Sequence, residues 1–236
     1  MSSTTQRVEE SAVAFTEHFM QAAGIRIRYL EAGQGNPVVV LHFHSAEGLT
    51  PSPFHTLLAQ QFRVIALEIP GLGPPPLEER PFVLRDVART LAQAAATLGL
   101  ERYVLVASSA STPLALWQAL HAPERIEALV LISPTALLPE GQIAASGFIH
   151  DTELEHRLAD IQVATLVLLG TNDKSIPLET GQTYVERLPD CYYLLVYDAG
   201  HAMETERPEA LCEAVCDFIE RRGTFIVERN NTALNP

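Results

Sequence analysis

Three side chains in this 236-residue sequence could together attack a carbonyl: Ser109, Asp173 and His201. A serine hydroxyl is a weak nucleophile until a histidine takes its proton, and a buried carboxylate holds the imidazole tautomer and stabilises the imidazolium. Each follows an apolar run of strand length: Tyr103 to Ala107 precedes Ser109, Thr165 to Leu169 precedes Asp173, and Tyr192 to Tyr197 precedes His201. Around Ser109 the strand runs straight into small residues and then a helix with Pro113 near its first turn. Such a junction exposes one side chain at the carboxyl end of a sheet, where open parallel sheets bind ligands. A nucleophile on so sharp a turn needs small residues two before and two after it, here Ala107 and Ser111. Asp198 competes with Asp173 through its nearness to His201, but it lies on the strand side of Gly200 and reads as a turn residue. His42 and His44, two apart, invite a metal reading; no third ligand has supporting spacing, so no metal is expected.

The elements that must position these residues alternate along the chain. Strands are expected at Ile25 to Leu30, Val38 to Leu41, Val64 to Leu67, Tyr103 to Ala107, Ala128 to Ile132, Thr165 to Leu169 and Tyr192 to Tyr197. Helices are expected at Pro53 to Phe62, Val83 to Leu98, Pro113 to His121, Asp151 to Leu158, Glu179 to Leu188 and Arg207 to Arg222. Continuous Val/Leu/Ile runs mean strands buried on both faces, and intervening helices mean parallel crossovers. Ala12 to Met20 with Ile25 to Leu30 reads as a hairpin turning at Ala22 to Gly24, which adds an antiparallel edge. The fold class is therefore α/β: a mostly parallel sheet with an antiparallel N-terminal hairpin and helices on both faces. Only 31 residues lie between Ser133 and Thr165, too few for a separate domain. The organisation is a single domain over 1–236, with a short lid at 134–164 and a C-terminal tail at 223–236.

In this order and context the sequence resembles the α/β-hydrolase superfamily, from about Ile25 to Ile219. The superfamily places serine, then acid, then histidine along the chain, each after a strand. Gly170 to Pro177 looks like its acid loop, and Gly200 to Pro208 like its histidine loop. Ala66 to Gly73 resembles its Asp-x-Pro-Gly-x-Gly turn, with Glu68 for the acid, and Pro123-Glu-Arg125 its lead into the next strand. The resemblance implies an oxyanion hole built from the backbone N–H of Ala110 and one from the loop beginning His42-Phe43-His44, with His44 at the second donor position. The chain departs from the family at three glycines. Ala107 and Ser111 replace both glycines of Gly-x-Ser-x-Gly, and Phe43 replaces the glycine that follows the family's loop histidine. His42, Phe43 and Phe148 are the substrate-binding candidates; Leu137, Leu138, Ile143 and Ile149 could add apolar contacts from the lid.

A formal charge of −13 excludes the basic surface that nucleic acid or an anionic membrane would require. No stretch approaches the roughly 18 apolar residues of a membrane helix, and Met1 to Ser11 lack the apolar core of an export signal, so a cytoplasmic location is expected. Cys191, Cys212 and Cys216 are odd in number, without metal-ligand spacing, and read as structural. No Gly-rich loop completes a nucleotide-binding pattern, and no cofactor is expected. The partners expected are a small-molecule substrate and, at most, a second copy of the chain as a homodimer. The leading expectation is a carboxylesterase-like serine hydrolase that cleaves a small or medium acyl ester through an acyl-enzyme. The same fold also hosts lyases, C–C bond hydrolases and cofactor-free oxygenases, in which His201 and Asp173 would act as a base, and non-catalytic binding proteins.

Overall fold

In the computed structural model the described residues are 13–42, 49–70, 83–138 and 151–221. Among these residues eight strands form one sheet: β1 (Thr16–Ala22), β2 (Ile25–Ala32), β3 (Pro37–His42), β4 (Arg63–Glu68), β5 (Tyr103–Ser108), β6 (Ile126–Ile132), β7 (Thr165–Gly170) and β8 (Cys191–Val196). Their spatial order is β1-β2-β4-β3-β5-β6-β7-β8. β1 with β2 and β2 with β4 are antiparallel, and every later pairing is parallel. The hairpin turns on Ala23 and Gly24, both at positive φ (50° and 74°), the backbone that matches the twist of two paired strands.

The continuous apolar runs are strands covered on both faces, because side chains alternate between faces with period two. Leu41, Leu67, Leu105, Leu131 and Leu169 face one core. It is closed by α2 (Leu84–Thr97), α3 (Thr112–His121) and α5 (Glu179–Arg187). Val40, Ala66, Val106, Val130 and Leu168 face the other, closed by α1 (Pro53–Leu58) and the last helix, α7 (Pro208–Arg221). Among the described residues no helix is long and apolar enough to cross a membrane.

Most expected elements appear with shifts of one or two residues at their ends. Two differ by more: the first strand, expected from Ala12, starts at Thr16, and α1, expected to reach Phe62, ends at Leu58. Phe62 is buried, so the apolar pattern is real, yet Gln60 N–H already bonds Leu57 O (3.2 Å) and the chain turns to start β4 at Arg63. Periodicity reports burial, not the hydrogen-bond pattern.

The 134–164 segment is tied to the body wherever it is described. Asp151 accepts Leu154 N–H through Oδ1 (3.0 Å), capping α4 (Thr152–Arg157), and accepts the buried Trp117 indole N–H through Oδ2 (2.8 Å). Leu138 is buried and Leu137 packs against the same core, so these two serve the core rather than the substrate contacts anticipated for them. Ile143, Phe148 and Ile149, and the 223–236 tail, lie outside the described residues. All three cysteines are free thiols and buried; Cys212 and Cys216 share one face of α7 with Sγ atoms 3.6 Å apart.

Acid should weaken this fold through His55. Its ring is wholly buried on α1, with Nδ1 accepting Ser52 N–H (3.1 Å), and burial pushes its pKa down to about 4. A histidine lowered from 6.5 binds its proton first in the unfolded chain, so its contribution is complete above pH 6.5 and is lost as pH falls towards 4. The loss at pH 4 should reach about 3 kcal/mol. Urea unfolding at pH 7.5 and 4.5 should therefore diverge more for the wild type than for His55→Gln; equal divergence would remove His55 from the explanation.

Candidate active site

The strand order places a reversal of chain direction across the sheet between β3 and β5. From β3 the chain steps outwards to β4, and from β5 it steps the other way to β6. The carboxyl ends of such neighbours leave a crevice, the usual ligand position of open parallel sheets. Ser109 stands at that end of β5, between the strand and α3.

Its backbone is strained in the way the sequence implied. Ser109 has φ 48°, a left-handed conformation unusual for a residue with a Cβ and costing roughly 1–3 kcal/mol. A short 3-10 turn, Ser109–Ser111, leads directly into α3, where Pro113 occupies the first turn without leaving an N–H unbonded. Ala107, two before, is fully buried and pairs in register with Leu41 of β3 and Leu131 of β6.

The strained turn presents the Ser109 hydroxyl to histidine: Oγ lies 2.9 Å from His201 Nε2, across 92 residues of sequence. On the other side of the ring, His201 Nδ1 lies 2.9 Å from Asp173 Oδ2. The Asp173 side chain is fully buried, whereas His201 keeps about a third of its surface (32%). Burial alone would raise the Asp173 pKa; the hydrogen bond from His201 and the N–H groups of Ser175 (2.8 Å) and Ile176 (3.1 Å) overcome it and hold the carboxyl below its ordinary value. Asp173 is therefore an anion that fixes the Nδ1–H tautomer, leaving Nε2 free to take the serine proton.

The competing acid is excluded by position. Asp198 sits in the turn after β8 at φ 54°, its side chain 84% exposed and 3.8 Å from the Arg207 guanidinium. The histidine and acid loops are instead stitched together by two backbone bonds and one to a threonine hydroxyl. Asn172 N–H donates to Ala199 O (2.8 Å), Thr171 N–H to Val196 O (3.0 Å) and Asp198 N–H to Thr171 Oγ1 (3.1 Å). Glu206, at the end of α6 (Met203–Glu206), accepts Gly200 N–H beside the histidine.

Ala110 occupies the middle of the 3-10 turn, adjoining the serine as expected. His42 ends β3 opposite Glu68. The His42 side chain, Phe43, His44 and Phe148 lie outside the described residues. Sequence reasoning treated Ser111 as a small residue only, and it missed Thr112 and Thr135, whose hydroxyls both donate to Ser109 O (2.7 and 3.2 Å). Their one visible signal was the density of hydroxyl residues around the junction, which is common after strands for steric reasons alone.

A family model described as the α/β hydrolase fold matches residues 37–146. A 2-hydroxy-6-oxo-6-(2'-aminophenyl)hexa-2,4-dienoic acid hydrolase of Metapseudomonas resinovorans is 23% identical, covering 91% of this chain and 94% of the relative. Two solved structures share the fold. One is a serine hydrolase involved in carbazole degradation (TM-score 0.75, 23% identity, covering 89% of this chain and all of the other). The other is the naproxen esterase of Bacillus subtilis (TM-score 0.71, 17% identity, 87% and 92% covered). The sheet order, the family match over residues 37–146 and the solved structures agree, and the chain has the α/β-hydrolase fold.

Proposed function

We propose that the protein is a serine hydrolase that cleaves a small or medium carboxylic ester through an acyl-enzyme at Ser109. The observation that carries this reading is the pair of 2.9 Å contacts joining Ser109, His201 and Asp173, built on a serine at φ 48°. His201 Nε2 takes the hydroxyl proton as Oγ attacks the carbonyl carbon. The tetrahedral oxyanion is held by backbone N–H groups, that of Ala110 among them. Collapse breaks the bond to the alkoxy group, which leaves with the proton from His201; a water, deprotonated by the same nitrogen, then releases the acid and restores Ser109. Asp173 stays ionised throughout and stabilises the imidazolium.

A second reading has its own support: the relatives include hydrolases of 2-hydroxy-6-oxo dienoic acids, which break a C–C bond. The same residues would serve, with a carbon leaving group protonated in place of an alkoxide.

One experiment separates the readings. A fluorophosphonate should label the wild type once, on the peptide carrying Ser109. p-Nitrophenyl acetate and butyrate should then turn over faster than a 2-hydroxy-6-oxo-dienoate followed by loss of its absorbance. The reverse ranking would transfer the assignment to C–C hydrolysis, and no labelling of folded protein would count against a serine nucleophile.

A further inference from the structure

The superfamily's elbow has glycine two residues after the serine, where this chain has Ser111. Size alone does not describe what stands there. Ser111 is wholly buried, and its hydroxyl lies 2.8 Å from Leu41 O and 2.8 Å from Ser108 O, while accepting Ser108 N–H at 3.0 Å. One hydroxyl proton is shared by two carbonyls and one of the oxygen's two lone pairs accepts the amide, so the group acts as donor and acceptor at once.

The partners lie on both sides of the elbow. Ser108 is the residue immediately before the strained serine, and Leu41 belongs to β3, the neighbouring strand whose end feeds the loop from His42 onward. We propose that Ser111 is a positioning residue, its hydroxyl clamping the elbow to the end of β3 and so fixing where the strained turn holds the nucleophile and the adjoining Ala110 N–H. This rests on Ser109 being the nucleophile.

Physical reasons favour the clamp over a filler role. A buried hydroxyl that merely filled space would cost desolvation without return, and alanine would fill the same space. Ser109 must hold φ 48° without glycine's freedom on either side, so its geometry needs neighbours that over-determine it. Ser111 does so from below, and Thr112 with Thr135 does so at the Ser109 carbonyl, the Thr135 N–H in turn donating to Thr112 Oγ1 (3.1 Å). A displacement of a few tenths of an ångström between nucleophile and oxyanion donors acts on the transition state, not on substrate binding.

The test compares Ser111→Ala, Ser111→Gly and Ser111→Cys with the wild type, measuring kcat and KM on the ester, the second-order rate of fluorophosphonate labelling and urea unfolding. Both Ser111→Ala and Ser111→Gly should lower kcat and the labelling rate about tenfold to a hundredfold, with KM within about twofold. Ser111→Cys, which keeps a weak donor, should fall between. Ser111→Gly is the sharper variant, since it restores the family's usual residue and removes atoms without adding any. Wild-type kcat and labelling in Ser111→Gly, whatever the change in unfolding, would overturn the clamp while leaving Ser109 as nucleophile. Absence of labelling in the wild type itself would instead remove the nucleophile, and the clamp with it.

Discussion

Ser109→Ala should abolish fluorophosphonate labelling and lower ester turnover by about 10⁴-fold or more, with the fold intact and KM little changed. The hydroxyl is the attacking group, so its removal leaves only binding and the oxyanion donors. Alanine keeps the Cβ, hence the same strain at φ 48°, and stability should move little. His201→Ala should cost as much, and the double variant no more than either alone, because groups that act as a unit are not additive. Asp173→Asn should still accept the Ser175 and Ile176 N–H groups, but its amide can donate to His201 Nδ1 and so favour the wrong tautomer; a loss of about 10³- to 10⁴-fold is expected. Steady-state kinetics on the four variants checks the set. Turnover that survives Ser109→Ala but not His201→Ala would sink the acyl-enzyme and leave His201 as a general base acting directly on water or substrate.

Gly170→Ala should be nearly as damaging from outside the reacting centre. Gly170 ends β7, and a Cβ built there would stand 2.3 Å from Ala199 O and 2.5 Å from Gly200 O. Both are backbone atoms of the loop that delivers His201, so no side chain can swing aside. Relief requires that loop to move, which separates His201 from Ser109 or from Asp173. A fall in kcat of at least about 10²-fold is expected. A destabilisation of roughly 2–4 kcal/mol should accompany it, because the Asn172-to-Ala199 bond is strained at the same place. Gly200→Ala should be milder: its Cβ would meet the Glu206 carboxylate at 3.0 Å, the mobile end of a side chain. Kinetics with urea unfolding on both variants tests the contrast, and wild-type kcat in Gly170→Ala would show that the close approach is not what seats the histidine.

Much of the fold was legible because its strands are buried on both faces. Runs such as Val38 to Leu41 and Thr165 to Leu169 could satisfy no other environment, and helices between them forced parallel crossovers. The end of α1 was not legible, since Phe62 is buried without being helical. Leu137 and Leu138 were equally ambiguous, because an apolar residue after a strand can face a substrate or a core, and here the core takes them.

By itself the sequence determined the chemical types at the site, their order and their place after successive strands, since these follow from local pattern and chain connectivity. It left two acids near His201, and it registered Ala107 and Ser111 only as departures from glycine. The tertiary structure decided both matters. Asp173 rather than Asp198 meets the histidine, because parallel pairing of β7 with β8 brings the acid loop under the ring while Asp198 turns out to solvent. The elbow without glycines still carries its serine at positive φ, with the Ser111 hydroxyl bonded to a carbonyl 70 residues away on β3. Hydrogen bonds between residues so distant in sequence exist only once the sheet has assembled, and no local pattern encodes them.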